Sequence, residues 1–152
     1  TDIGSSVFPG CTSLESVVVA ECNPKYDSRE NCNAIIETKT NYLVHGFKST
    51  IIPKSVEVIG WHAFADCTSL ESITIPESVT MIDCGAFSRC TSLKSVTILG
   101  SATVIDKSAF SDSMALDTIN VPIGMTDYYK QRLPEELHDK IVELAPEKKT
   151  KK

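Results

Sequence analysis

The sequence has few of the features that mark a metalloprotein, a calcium-binding protein or a membrane protein. Its six cysteines include no C-x-x-C pair and its three histidines are scattered, so no zinc-binding pattern is present. No D-x-D-x-D spacing predicts a calcium loop, and no apolar run approaches the roughly 18 residues of a membrane-spanning helix. We therefore expect no metal, no cofactor and no membrane insertion.

Positive charge is also scarce. The 152 residues carry 15 lysines and arginines against 20 acidic residues, which gives a net charge of −5. Four of the lysines lie in the segment 147–152, which we interpret as a solvated basic tail. The rest of the chain is more acidic still, and this argues against a nucleic-acid partner.

What the sequence does contain is a motif with a period of 23 residues. Residues 52–56, Ile-Pro-Lys-Ser-Val, return as Ile-Pro-Glu-Ser-Val at 75–79 and, with several changes, at 98–102. A fixed period in the twenties is typical of a solenoid, which presents a binding surface rather than a catalytic site. Two further series keep the same step: Phe64, Phe87 and Phe110, and Leu70, Leu93 and Leu116.

Each unit is predicted to form one coil with two extended sides. The alternation Ile73-Thr74-Ile75 is strand-like, and Pro76, which lacks an amide proton, ends the strand. Val79 and Ile82 indicate the second extended side, and Gly85-Ala86-Phe87 indicates a tight helical turn. Because one coil cannot bury its apolar side chains alone, we expect a mainly β repeat solenoid with short helical turns and one shared core.

The unit I-x-I-P-x-S-V-x-x-I-G-x-x-A-F-x-x-C-T-S-L-x-S strongly resembles the BspA-like (Treponema pallidum type) leucine-rich repeats. Aspartate replaces its glycine at positions 83 and 106, and Leu99-Gly100 replaces its Pro-x pair. The resemblance covers 51–122 and 3–19. It implies a right-handed leucine-rich-repeat coil and a gut-bacterial surface protein that attaches to host proteins or to other cells. The residues that carry it are Ile51-Ile52-Pro53, Ser55-Val56, Ile59-Gly60, Ala63-Phe64 and Cys67-Thr68-Ser69-Leu70.

The period breaks between residues 19 and 51. Residues 23–29 are rich in turn formers, and 33–38 and 42–46 predict two strands about the turn 39–41. This stretch also resembles an irregular unit found within the same family. We interpret it as a longer coil with a protruding β-hairpin.

After the last repeat the sequence predicts a helical cap. Thr126 is placed to cap a short helix, and Pro134 to begin a second one. Leu137, Ile141 and Leu144 then form an apolar stripe that covers the last coil.

We expect a single leucine-rich-repeat domain at 1–146, followed by the basic tail. The first residues already read as the middle of a repeat, which predicts a fragment that carries no signal peptide itself. The domain divides into a partial repeat at 3–22, the hairpin unit at 23–50, repeats at 51–73, 74–96 and 97–119, and a cap at 120–146.

Three cysteines occupy one repeat position. Cys11, Cys67 and Cys90 are followed there by Ser113, and a stacked row of small buried side chains indicates packing. Free thiols are the default, while a disulfide from Cys67 to Cys90, or from Cys22 to Cys32, is left open.

No convincing catalytic set is found. Asp83 and Asp106 share one repeat position, and Asp66 and Asp112 share another, but solvated turns explain them better than paired catalytic carboxylates. The polar segment 26–29 is read as a structured loop rather than a site. We therefore expect a protein that is not an enzyme.

The outward strand positions form a flat face without aromatic side chains. Small polar residues dominate it, which suits either a protein-binding surface or ordinary exposed strands. Trp61 stands apart as a possible contact residue, which either packs on the hairpin or touches a partner. The rows are Ser16, Ser72, Ser95 and Thr118; Val18, Thr74, Thr97 and Asn120; and Glu15, Glu71, Lys94 and Asp117.

The function we infer is that of a non-catalytic, cell-surface or secreted module that mediates protein binding and adhesion. The expected partner is an extracellular-matrix or cell-surface protein, and the module itself is expected to be a monomer. The alternative is a structural spacer, whose repeats display another domain and bind no ligand.

Overall fold

The structure, a computed structural model, describes residues 3–4, 7–8, 14–102 and 104–145. Side chains from two β-sheets form the main hydrophobic core, which reaches from Cys32 to Leu137, and Tyr26, Ile35 and Val44 form a second, smaller cluster. The predicted basic tail at 147–152 lies outside the described residues. So do residues 5–6 and 9–13 of the predicted partial repeat, Cys11 among them.

The described chain is mostly strands with few helices. One α-helix, α1 (Thr126–Lys130), and two 3₁₀ helices, Arg29–Asn31 and Glu135–Lys140, accompany the strands. The strands are β1 (Tyr26–Asp27), β2 (Ala34–Glu37), β3 (Tyr42–Gly46), β4 (Val58–Ile59), β5 (Ser72–Ile75), β6 (Met81–Ile82), β7 (Ser95–Ile98), β8 (Val104–Ile105), β9 (Thr118–Val121) and β10 (Ile141–Glu143).

The first sheet has the strand order β10-β9-β7-β5 and is parallel throughout. Ser72 pairs with Ser95 and Ser95 with Thr118, so these partners lie one motif step apart. The predicted alternation is confirmed in β5, where Ile73 and Ile75 are buried and the residues between and before them are exposed. Alternation therefore gives this sheet one face on the core and one in water.

The second sheet has the order β1-β2-β3-β4-β6-β8. The predicted hairpin is present as the antiparallel pair β2–β3, but the prediction that it protrudes is wrong. Its strand β3 pairs in parallel with β4, and Ala34, Ile36 and Leu43 are fully buried. A protruding hairpin would leave these apolar side chains and the edge of β4 in water, so docking is favoured.

Three phenylalanine rings lie at the centre of the core, as the motif predicts. The centroids of Phe64 and Phe87 are 5.0 Å apart, and those of Phe87 and Phe110 are 5.4 Å apart. Main-chain hydrogen bonds join the turns that carry them: the N–H of Phe64 donates to Ala86 and that of Phe87 to Ala109, each over 2.7 Å. Each ring therefore stacks on a ring of a neighbouring repeat unit.

Gly60, which aspartate replaces in two later units, has a packing reason. A Cβ atom at Gly60 would lie 2.2 Å from the Tyr42 ring and 2.6 Å from the carbonyl oxygen of Leu43. The docked hairpin thus occupies, beside this position, space that the equivalent Asp83 and Asp106 side chains need.

The C-terminal segment differs from the predicted helix. Glu135–Lys140 is a 3₁₀ helix that follows Pro134, as expected, but Ile141–Glu143 forms β10, which pairs in parallel with β9. β-Branched Ile141 and Val142 favour a strand, and the edge of β9 offers main-chain groups to pair with. The predicted helical stripe is therefore wrong beyond Leu137.

The predicted cap of the first helix is also wrong. Thr126 is the first residue of α1 and Met125 precedes it as the N-cap, with no side-chain capping bond. The Thr126 hydroxyl donates instead to Glu143 over 2.8 Å, which ties α1 to β10.

In the described part of the cysteine row, Cys90 and Ser113 are buried and Cys67 packs partly buried against the core. The thiol of Cys90 donates to the carbonyl of Phe64 over 3.1 Å, and the hydroxyl of Ser113 donates to that of Phe87 over 2.6 Å. A thiol or hydroxyl at this position therefore satisfies the carbonyl of a phenylalanine turn. The cysteines found free are Cys22, Cys32, Cys67, Cys84 and Cys90.

We expect Cys90 to resist alkylation in the folded protein. Burial raises the pKa of its thiol from 9.0 to about 12, whereas Cys22 is exposed. Iodoacetamide at pH 8, followed by mass spectrometry, should label Cys22 in the folded protein and Cys90 only after denaturation in urea. Equal labelling rates in the folded protein would contradict the placement of Cys90.

The same shift makes stability depend on alkaline pH. Because the pKa of Cys90 is raised in the folded state, the protonated thiol contributes to the free energy of unfolding. This contribution is complete below about pH 9 and is lost as the pH rises towards 12.

The hydroxyl of Ser88 is buried, and no hydrogen-bond partner for it exists among the described residues. The equivalent residue one unit earlier is Ala65. We expect Ser88→Ala to raise the free energy of unfolding by about 1 kcal/mol, because it removes an unsatisfied polar group. Urea denaturation of the variant measures the change, and a loss of stability would mean that the hydroxyl is satisfied.

Candidate binding surface

The structure brings the predicted hydroxyl positions of β5, β7 and β9 together on one face. The first row, Ser72, Ser95 and Thr118, lies in register across the three strands. The second row, Thr74, Thr97 and Asn120, lies beside it in the same register. Every member of both rows is exposed or half-buried.

One side-chain hydrogen bond links the second row across neighbouring strands. The amide of Asn120 donates to the hydroxyl of Thr97 over 3.3 Å. The face therefore presents hydroxyl and amide groups at strand spacing, which suits hydrogen bonding to a partner.

The charged row immediately precedes the strands. Glu71, Lys94 and Asp117 are all exposed, and the ammonium of Lys94 lies 3.9 Å from the Glu71 carboxylate. A pair this exposed adds little to stability, so its charges are available to a partner.

Ser16 and Val18 are not part of this ladder. Their segment is held by side chains of the irregular unit: the N–H of Val17 donates to Asn33 over 2.7 Å, and that of Val19 to Ser28 over 3.0 Å. Val18 is 83% exposed, so the predicted row continues only as an exposed segment outside the sheet.

Two exposed aliphatic side chains were missed by the sequence reading. Val142 of β10 pairs with Asn120 and extends the second row at one end. Ile51, which is 77% exposed, occupies the position of Thr74 in the preceding repeat unit. The β-branched pair Ile141-Val142 was the available signal, but the helical stripe outweighed it.

Trp61 lies apart from these rows. It follows β4 of the second sheet, and its main-chain N–H donates to the hydroxyl of Tyr42 over 2.8 Å. Burial raises the pKa of Tyr42, and the indole, 49% exposed, makes an edge contact with His62. Trp61 thus borders a cleft of about 330 Å³ beside the hairpin while half of its surface meets water.

The stacked aspartates hold turns. The guanidinium of Arg89 donates two hydrogen bonds to Asp66, of 2.6 and 2.7 Å, and lowers the pKa of that carboxyl. Hydrogen bonds from Ser108 lower the pKa of Asp106. A carboxyl group whose pKa is lowered stays ionised, so neither Asp66 nor Asp106 is suited to act as a general acid.

The polar segment 26–29 is held by hydrogen bonds of Asp27 and Ser28, as predicted, but it is not a loop: Tyr26–Asp27 form β1 and Arg29 begins a 3₁₀ helix. A side-chain hydrogen bond from Arg29 lowers the pKa of Asp27 to about 2. The same guanidinium donates to Asn41 over 2.8 Å and to Ser55 over 3.2 Å. Arg29 therefore joins this segment, the hairpin turn and the following repeat.

Among residues 3–4, 7–8, 14–102 and 104–145, no group of three or more His, Cys, Asp or Glu side chains is arranged to hold a metal ion. In the same part of the chain, no helix has the length and apolar character needed to cross a membrane.

Parallel strands at a constant sequence step, with buried leucines and isoleucines, define a leucine-rich-repeat fold. The chain belongs to the BspA-type family: the BspA type leucine rich repeat region matches residues 34–133 in six copies. Leucine-rich-repeat domains generally bind proteins and are typically non-catalytic. The comparison with curated proteins returned no match.

Solved structures with a similar course include a leucine rich cell surface protein from Faecalibacterium prausnitzii, with 23% identity, a TM-score of 0.40, and coverage of 80% of this chain and 45% of that one. A leucine-rich repeat protein from Eubacterium ventriosum has 14% identity, a TM-score of 0.38 and coverage of 74% and 44%. The pneumococcal vaccine antigen PcpA has 14% identity, a TM-score of 0.37 and coverage of 88% and 51%. The chain spans about half the length of these proteins.

Proposed function

We propose that the chain is a non-catalytic adhesion module of a bacterial surface or secreted protein, which binds a protein partner through the outward face of β5, β7 and β9. The observation that carries this proposal is the register of the two rows, which sets hydroxyl and amide groups on an exposed, regular surface. Trp61 is a separate candidate contact, because it is half exposed and follows β4 of the other sheet.

We further propose that the coils stack as a single solenoid domain at 1–146, with the segment after β9 as its terminal cap. The continuous core from Cys32 to Leu137 supports one domain. Tyr129 and Leu133, both buried in that core, and the pairing of β10 with β9 support the cap.

The test is binding to an immobilised panel of purified extracellular-matrix proteins. We expect the chain to bind at least one of them, and Ser95→Lys with Thr118→Lys to abolish the signal by placing two lysines on the face. Glu135→Lys, an exposed change outside the sheets, is the matched control and should bind normally. A Trp61→Ala variant tests the second candidate contact separately.

The structural spacer is the competing function, and the small size of the side chains on the face favours it, since large aromatic anchors usually dominate protein interfaces. Absence of binding across the panel, or binding unchanged in the double lysine variant, would remove this face from the proposal.

A further inference from the structure

The outer edge of β5 is open. The carbonyl groups that face β7 belong to alternate residues at the two ends of β5: Glu71 accepts from the N–H groups of Lys94 over 2.8 Å and Ser95 over 3.4 Å, and Ile75 accepts from that of Leu99 over 3.0 Å. Main-chain groups of successive strand residues point to opposite neighbours, so those of Ser72 and Thr74 point away from β7. Among the residues that the structure describes, neither amide donates to a partner on that side.

The segment 49–52, which occupies the place of the preceding strand, turns towards the irregular unit instead. The N–H of Ile51 donates to Cys32 over 3.1 Å, and the hydroxyl of Thr50 donates to Asn33 over 2.6 Å. One unit later, the N–H of Leu99 donates to the carbonyl of the preceding strand. Pro76 occupies the equivalent position after β5 and has no amide proton, so it cannot make this bond. A slot of about 330 Å³ is left between this segment and β5.

The chemistry of the slot selects its occupant. One wall offers the main-chain groups of β5, the aliphatic side chains of Ile51 and Leu99 lie along it, and Lys54 is its charged group. No aromatic side chain lines it, which disfavours a stacked sugar or base. An extended peptide supplies main-chain donors and acceptors, side chains on alternating sides and, with an acidic residue, a partner for Lys54.

We propose that this slot takes an extended segment of a partner protein, which adds as a parallel strand to β5. Its main chain bonds to Ser72 and Thr74, an aliphatic side chain packs on Ile51, and an acidic side chain near its C-terminal end reaches Lys54. A second copy of this chain fits poorly, because its own segment 49–52 would collide with that of the first. The inference shares with the proposed function the premise that the partner is a protein, and Ser72 and Thr74 take part in both, with their side chains on the outward face and their main-chain groups in the slot.

The probe is a capped synthetic peptide with the sequence of residues 94–99 followed by one glutamate. In the protein, this segment pairs in parallel with β5 at its other edge. Amide hydrogen exchange by NMR is the readout. We expect saturation with the probe to slow exchange at Ser72 and Thr74 by at least about tenfold. The exchange rates of Ile73 and Ile75, whose main-chain groups point towards β7, should change little.

Exchange that is already slow at Ser72 and Thr74 in the free protein would mean that the slot is closed, and would overturn the proposal. Binding of the probe without slower exchange at these amides would overturn it as well. A probe that ends in lysine instead of glutamate should bind more weakly, and equal binding would contradict the role of Lys54.

Thr74→Pro removes one amide proton that points away from the sheet, and proline is tolerated at such positions of an edge strand. We expect it to weaken probe binding by more than about tenfold, while Thr74→Val, which keeps the amide, binds within about threefold of the parent. Ser72→Pro serves if Thr74→Pro does not give the parent circular dichroism spectrum. Equal binding by the proline and valine variants would overturn the proposal.

Two further experiments distinguish binding in the slot from dimerisation and from binding to the outward face. Dimerisation that sedimentation detects in the parent and not in Thr74→Pro would assign the slot to a second copy and overturn the proposal. The double variant Ser95→Lys with Thr118→Lys should still bind the probe even if it loses the matrix proteins, so failure of the face and failure of the slot are distinguishable.

Discussion

Phe87→Ala should lower the free energy of unfolding by about 3–5 kcal/mol. Phe87 is fully buried, and its ring stacks on Phe64 at 5.0 Å and on Phe110 at 5.4 Å. Truncation removes the buried area of one ring and leaves a cavity between two others, which the stacked turns on either side cannot close. Equilibrium urea denaturation measures the loss.

The matched control for this variant is Met114→Ala. Met114 is also a large apolar side chain, but it is 82% exposed, so its truncation should change stability by less than about 0.5 kcal/mol. A loss below about 1 kcal/mol for Phe87→Ala would contradict the central position of the ring.

Gly46→Ala should be the second large effect. A Cβ atom at Gly46 would lie 2.2 Å from two ring carbons of Phe64, and Phe64 cannot retreat because it stacks on Phe87. Overpacking of this kind costs about 1–3 kcal/mol or more. The phenylalanine stack therefore requires a residue without a side chain where it meets β3.

A double-mutant cycle isolates this contact. In a Phe64→Leu background the alanine at position 46 should cost less, with a coupling of at least about 0.5 kcal/mol, because the branched chain leaves room that the ring does not. The same cost in both backgrounds would show that the ring is not the obstacle.

The sequence was sufficient where neighbouring units repeat one another. The period placed Phe64, Phe87 and Phe110 in one stack, and strand alternation placed Thr74 and Thr97 on the outward face. Both follow from the repeat, since equal spacing along the chain becomes equal position in successive repeat units.

The sequence was insufficient where an element pairs with a distant one. The docking of the hairpin depends on the partner edge of β4, and the change from helix to strand at Ile141 depends on the open edge of β9. The periodicity of Leu137, Ile141 and Leu144 fits a helix equally well, so pairing with β9 decided the outcome. The open edge of β5 was likewise hidden, because the motif at 51–56 gives no sign that its strand turns away.

The central claim is the register of the outward rows, on which both the fold and the proposed surface depend. Nuclear Overhauser contacts between the main-chain protons of Thr74 and Thr97, and between those of Thr97 and Asn120, test it directly. We predict both contacts, with none between Thr74 and Asn120. Absence of the first two would contradict the account, and so would a ladder of contacts displaced by one residue along its whole length, since that would turn the hydroxyl groups towards the core.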